Sequence, residues 1–234
     1  MPGALPCPVP PYRLSGTVLV ALLNHPGEVQ ALGEAVHAAP YKAPPRAPVL
    51  GVKPRNTWVG EGAAVAVPPE GVVLGASLGV VIGRTACAVA EGEALAHVAG
   101  YLVGVDLHLP LASHYRPAIR LRARDGFCPL GPAVVPAAQV ADPDALALRV
   151  WVDGVLAHEG GTAGRTRGVA RLVADVSAFM TLQPGDVLLI GCAPAMPVAH
   201  AGQHVAVEVA SVGRLGFGLV PEAGPGARPA GGPA

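Results

Sequence analysis

Three features of this chain have the residue types for chemistry: an acid at the end of an apolar run, a lysine in a Lys-Pro turn, and a loop crowded with arginines. The acid is Asp106, which closes "GYLVGVD"; the lysine is Lys53 in "GVKPRNTW". The loop is "YRPAIRLRARDGFCP", with Tyr115, Arg116, Arg124, Asp125 and Gly126. Together they describe a cationic pocket with a single carboxylate. Positive groups gathered this way would lower the energy of negative charge growing beside them. Asp106 has two readings from position alone: a site carboxylate, or a strand-end residue pairing with an arginine of the 116–124 loop. Arg124–Asp125–Gly126 is a turn by composition, which favours Asp125 as a loop brace over a base.

The other reactive side chains make weaker patterns. His200 and His204 have a spacing that joins on a helix, but Gly202 lies between them and the setting reads as a loop. His97, His108 and His114 are isolated. Cys128 has no histidine placed to activate its thiol. "GASLG" lacks the Lys–Ser/Thr that a phosphate loop needs.

The elements that must position these residues read as short and strand-rich. Only 4% of residues are aromatic, so Val, Leu and Ala must fill the core, and 31 Gly with 26 Pro punctuate it often. Leu78 to Ile82 reads as a buried strand, Gly83–Arg84 as a turn, Glu91 to Val98 as a short helix, and the next apolar run as a strand ending on Asp106. Upstream, Thr17–Leu23 reads as a strand and Gly27–His37 as a helix. Downstream, Asp153–Gly154 signals a two-residue hairpin. Val169, Leu172, Val173, Val176, Phe179 and Met180 form one helical stripe stopped by Pro184–Gly185. "VLLIG" reads as a strand, and a last hairpin turns near Ser211–Gly213. Residues 1–15 read as a loose lead-in, 16–220 as one domain, and 221–234 as a disordered tail.

The bulk numbers narrow the partners. Sixteen basic residues balance 16 acidic ones, so no net field recruits nucleic acid or an anionic membrane. Four scattered cysteines form no CxxC pair, which fits a reduced, cytoplasmic setting. No run is long and apolar enough for a membrane span, and the N-terminus has no secretion-signal pattern.

Six segments in order, "KPRNT", "VVIGR", "AGYLVGVD", "YRPAIRLRARDGFCPLGP", "VWVDG" and "FMTLQPGDVLLIG", resemble the fumarylacetoacetate hydrolase superfamily. "YKAPP" at Tyr41–Pro45 and "RDGFCP" at Arg124–Pro129 point within it to the isomerases and decarboxylases of 4-hydroxyphenylacetate (homoprotocatechuate) catabolism. The resemblance implies a mixed α/β, strand-rich β-sandwich roll with few short helices, often dimeric. It implies decarboxylation of 5-oxopent-3-ene-1,2,5-tricarboxylate, isomerisation of 2-hydroxyhepta-2,4-dienedioate, or both. Lys53, Asp106 and Arg124 fall on catalytic positions, and Tyr115, Arg116, Asp125 and Gly126 on the substrate cleft. Members that use Mg²⁺ or Mn²⁺ hold it with two Glu on one strand face plus an Asp. Gly75 and Ser77 stand where the Glu would be, leaving Asp106 as the only matching ligand. The family's lid His–Glu pair is not reproduced either: Glu28 takes the place of the His and Ala31 that of the Glu, with His25 nearby. The resemblance therefore implies that this chain alone binds no divalent metal tightly and works as a homodimer or beside a metal-competent homologous subunit. Two alternatives stay open: a catalytically silent partner subunit, and a stand-alone hydrolase or decarboxylase of another 2-oxo acid.

Overall fold

The structure, a computed structural model, describes residues 5–223 except 112 and 114–117. In chain order the elements are β1 (Val18–Leu22), α1 (Pro26–Ala31), β2 (Val49–Lys53), β3 (Trp58–Val59), β4 (Ala64–Val67), β5 (Val72–Ile82) and β6 (Val98–His108). There follow α2 (Ile119–Arg122), β7 (Cys128–Pro136), β8 (Ala147–Val152), β9 (Val155–Gly161) and α3 (Val169–Ser177). The chain closes with β10 (Val187–Leu189), β11 (Val198–Ala199), β12 (His204–Val209) and β13 (Gly213–Pro221). The strands form two sheets. The larger follows the path β2-β1-β10-β5-β6-β7-β3 with β11 on β5, and the smaller runs β4-β13-β12-β8-β9.

The path of the larger sheet forces it to curl. Its two end strands, β2 and β3, are adjacent in the chain, separated only by the turn Pro54–Thr57. Laid flat, six inter-strand steps span about 29 Å, whereas five residues of extended chain reach at most about 17 Å. The sheet must roll until its edges meet, and the Trp58 indole N–H donates to the Lys53 carbonyl across the join at 2.8 Å. Lys53 is thus carried into the seam of a closed roll.

Alternation along the strands separates two cores. Leu74, Ala76, Leu78, Val80 and Ile82 of β5, with Val103, Val105 and Leu107 of β6, face the smaller sheet and α3. Val81, Leu102, Val18, Val20, Val187 and Leu189 occupy the opposite, concave face. Gly75 pairs with Asp106 and Ser77 with Gly104 on that same concave face. Small residues are needed there: a Cβ at Gly104 would sit 2.5 Å from Leu189 Cδ2.

The strand-rich mixed fold expected from the sequence is the observed one, with several elements differing in length. β5 begins at Val72 rather than Leu78, because register with β6 extends it through the glycines. The 27–37 helix is two pieces: α1 stops at Ala31, Gly33 has φ +51°, and a 3₁₀ turn follows over Gly33–Val36. Glu91–His97 is also 3₁₀. The α3 stripe holds at Val169, Leu172, Val173 and Val176, but the helix ends at Ser177 and Phe179 is 61% exposed. Both hairpins form where expected, with Asp153 and Gly154 at positive φ. Residues 5–15 contain no helix or strand, yet Leu5, Cys7, Val9 and Leu14 pack against the concave cluster. At the other end, β13 runs to Pro221 and Glu222 N–H bonds the Val67 carbonyl; residues 224–234 lie outside the described residues. Among the described residues no helix is long and apolar enough to cross a membrane.

Candidate active site

Lys53 and Asp106 meet inside the roll. The Lys53 Nζ lies 2.5 Å from Asp106 Oδ1, and both residues are buried. The same ammonium donates to three backbone carbonyls: Leu107 at 2.8 Å, Arg122 at 2.8 Å and Phe127 at 3.0 Å. An ammonium has three protons, so this one has no N–H left for a ligand. Arg122, also buried, donates from Nη1 to the other Asp106 oxygen. Burial alone would raise the Asp106 carboxyl, but the adjacent Lys53 and Arg122 charges outweigh it and hold the group below its ordinary value. This closed ion cluster is the floor of the site.

The roof comes from the end of β1. Asn24 is buried; its side-chain amide donates to the carbonyls of Arg167 and Ile190, and its oxygen accepts the Arg167 N–H. It thereby ties the 162–168 loop to β10. The next residue, His25, caps α1: its Nδ1 accepts the Gly27 N–H at 3.0 Å, and Glu28 reaches back to the His25 N–H. This reciprocal cap fixes where the Glu28 carboxyl sits. Burial pushes that carboxyl above its usual value, against the His25 N–H and the charges of Arg165 and Arg122. Arg165 hangs from the loop, donating to the Cys192 carbonyl at 3.0 Å and the Gly161 carbonyl at 3.2 Å. Burial also pushes the Cys192 thiol up to about 12, with the charges of Glu28, Asp106, Arg122 and Arg165 acting on it. The Nε–H groups of Arg122 and Arg165 are buried and find no acceptor among the described residues.

The residues expected from sequence divide accordingly. Lys53 and Asp106 come together. Asp106 pairs with an arginine of the 116–124 loop, Arg122, as one of its two readings has it. Arg124 lies apart: its guanidinium pairs with Glu222, is partly exposed, and sits 5.8 Å from the Phe127 ring. Asp125 accepts from Asn56 Nδ2 at 2.7 Å, a loop brace, and Gly126 turns at φ +76° with its N–H on the Asn56 carbonyl. Tyr115 and Arg116 lie outside the described residues. Sequence reasoning passed over Arg122 and Arg165. Arg120, Arg122 and Arg124 alternate in the chain with equal claims, and the single turn of α2 buries Arg122.

A divalent metal does not fit the residues present. Hard cations need several oxygen ligands, and Gly75 contributes none. Ser77 Oγ is engaged with the Leu78 carbonyl. Both Asp106 oxygens already face cations. A side chain at Gly75 would also collide with its strand partner, its Cβ lying 2.6 Å from the Asp106 carbonyl oxygen. Among the described residues, no three His, Cys, Asp or Glu converge for a metal.

Rolled sheet, site position and sequence agree on the class. Residues 17–220 match the family described as fumarylacetoacetate (FAA) hydrolase C-terminal, and the chain belongs to that family. The 4-hydroxyphenylacetate degradation bifunctional isomerase/decarboxylase of Escherichia coli is 38% identical over 195 residues, 83% of this chain and 44% of that protein. The chain thus spans less than half the length of that relative. The 2-hydroxyhepta-2,4-diene-1,7-dioate isomerase of Mycobacterium marinum superposes with a TM-score of 0.75 at 26% identity, covering 90% of this chain and 77% of the other. The fumarylpyruvate hydrolase of Pseudomonas aeruginosa, solved with Mn²⁺ and pyruvate, has a TM-score of 0.75 over 88% of this chain and 90% of its own; at 23% identity it shares the fold.

Proposed function

We propose that this chain is an isomerase/decarboxylase unit for small unsaturated 2-oxo dicarboxylates or tricarboxylates. The candidates are 5-oxopent-3-ene-1,2,5-tricarboxylate and 2-hydroxyhepta-2,4-dienedioate. One observation carries the reading: the Glu28 carboxyl is fixed by its cap and pushed above its usual value by burial, with the charges of Arg165, Arg122 and Asp106 acting on it. In decarboxylation the carbon–carboxylate bond breaks, CO₂ leaves, and the electron pair passes into the 2-oxo group as an enolate. Arg122 and Arg165 supply positive charge for that enolate, and Glu28 delivers the proton that quenches it. Isomerisation uses the same carboxyl to move a proton between carbons. Lys53 and Asp106 hold the floor, Arg124 is assigned to the rim of the cleft with Asp125 and Gly126, and substrate binding by Tyr115 and Arg116 is what the family resemblance implies.

Mn²⁺ in the Pseudomonas relative supports a divalent ion as a family cofactor. We assign no tight metal site to this chain, and propose a homodimer, or a heteromer with a metal-competent homologous subunit, in the cytoplasm. Saturation of the Lys53 ammonium favours a second reading, a catalytically silent companion that stabilises such a subunit. Turnover of both substrates by the chain, alone and mixed with a metal-bearing relative, separates the two. Glu28→Gln should lower kcat about 100-fold or more and leave assembly intact. Unchanged turnover in Glu28→Gln and Arg122→Gln mixtures would instead make the chain a scaffold.

A further inference from the structure

The helix that carries Glu28 has little of its own to hold it. None of the six residues of α1 is buried, and a helix this short is marginal by itself in water. Gly33, at φ +51°, cuts it off from the 3₁₀ turn that follows. At its start, Gly27 sits close against the loop after β10, where a Cβ would lie 2.7 Å from Pro194 Cγ. The other tie at that end is the cap. His25 Nδ1 accepts the Gly27 N–H at 3.0 Å, and the Glu28 N–H bonds the His25 carbonyl at 2.9 Å.

Histidine gives this cap a property that the common capping residues lack. Ser, Thr, Asp and Asn keep an acceptor oxygen throughout the neutral range. An imidazole accepts only through a nitrogen that has no proton. Because Nδ1 accepts here, the ring proton is on Nε2, and a second proton would turn Nδ1 into a donor aimed at another donor, the Gly27 N–H. The Glu28 half of the cap lacks this weakness, since a protonated carboxyl retains an oxygen that accepts. The ring is only partly buried, so protons reach it. Glu28 on its own helix and Arg165 on the 162–168 loop are the charged groups beside it, and Cys192, on the loop of Pro194, keeps its proton. Burial first, and then Arg165, hold the imidazole below its ordinary 6.5. The cap is therefore closed at neutral pH and is challenged only as pH falls below that value.

We infer that His25 is a pH-operated latch on α1: the neutral imidazole holds the first turn and with it the Glu28 carboxyl, and protonation at Nδ1 releases both. His25 is thus a positioning residue for Glu28. The inference rests on the proposed function for what Glu28 does, and goes beyond it in making the placement of that carboxyl conditional on pH.

Amide hydrogen exchange of the full chain, corrected for the intrinsic rate at each pH, tests the latch on peptides spanning residues 24–32. Between neutral pH and about pH 5, wild-type protection there should fall about fivefold or more, while α3 keeps its own. His25→Asn, whose acceptor does not titrate, should stay protected at both pH values, and His25→Ala should be unprotected at both. Glu28→Gln should keep the wild-type step, which excludes the carboxyl as its source. Wild-type protection equal at both pH values, a fall shared by α3, or an equal fall in His25→Asn would overturn the latch. The wild-type comparison of α1 with α3 stands even where a variant fails to fold. Turnover separates the latch from the activity, because kcat should fall with α1 protection in wild type and much less in His25→Asn. A chain that shows the exchange pattern but turns over neither substrate keeps the latch and loses the proposed activity. Turnover whose pH profile is untouched by His25→Asn keeps the activity and overturns the hold of the latch on Glu28.

Discussion

The floor and the roof of the site are built from the same residue types and do opposite things. On the floor, Lys53 meets Asp106 and three backbone carbonyls inside the seam of the roll, while Arg122 pairs with Asp106 and keeps one buried Nε–H without an acceptor among the described residues. On the roof, Glu28 is held by its own helix cap and Arg165 has a buried donor with no acceptor. Buried charges whose partners are all internal belong to the fold's stability. A buried donor left open has a place for something else. The difference teaches which positions should be read by denaturation and which by ligand.

Breaking the floor should have the largest effect. Lys53→Ala leaves the Asp106 carboxylate short of a cation and three carbonyls without their donor, which should cost about 3–5 kcal/mol. Urea unfolding would show it as a lower midpoint at unchanged slope; a midpoint near wild type would mean the cluster carries little of the fold. Restoring acids to the floor comes next. Gly75→Glu with Ser77→Glu should cost about 1–3 kcal/mol by overpacking and still create no tight Mn²⁺ site. The new Cβ at position 75 starts 2.6 Å from the Asp106 carbonyl oxygen, and Asp106 is already occupied.

Acid should act on the floor through its neighbour. Burial, against the pull of Asp106, lowers the His108 imidazole from 6.5 to about 4. Between those values the unfolded chain binds the proton that the folded chain refuses, so stability falls as pH drops from 6.5 towards 4. Melting curves across that window should flatten in His108→Gln; an unchanged slope would place the titration elsewhere. The smallest effect belongs to the rim. Arg124→Ala removes a partly exposed pair with Glu222 and should change stability by under about 1 kcal/mol, less still at high salt. A larger loss would move Arg124 from the rim into the cluster.

What the sequence discloses follows from how local each determinant is. Asp106 and Lys53 stand out because an acid closing an apolar run and a Lys-Pro turn are local patterns. The Asp153–Gly154 turn is local too, since its backbone angles select those two residue types. The start of β5 was hidden, because Gly75 and Ser77 have weak strand preference and only pairing with β6 makes them a strand. The arginines were hidden for a similar reason. One turn of helix between Ala118 and Ala123 buries Arg122, whereas Arg124, two residues on, reaches Glu222. Arg165 carried no local pattern; its loop is held at Arg167 by Asn24, 143 residues away in the chain.

The central claim is that the residues present, with Asp106 held between Lys53 and Arg122, offer too few oxygen donors for a divalent metal. Calorimetric titration of Mn²⁺ into the EDTA-stripped chain, with Asp106→Asn alongside, tests it most directly. The account predicts no binding tighter than about millimolar and no difference between wild type and Asp106→Asn, in line with a site of too few oxygen donors. Stoichiometric micromolar binding that disappears in Asp106→Asn would contradict it.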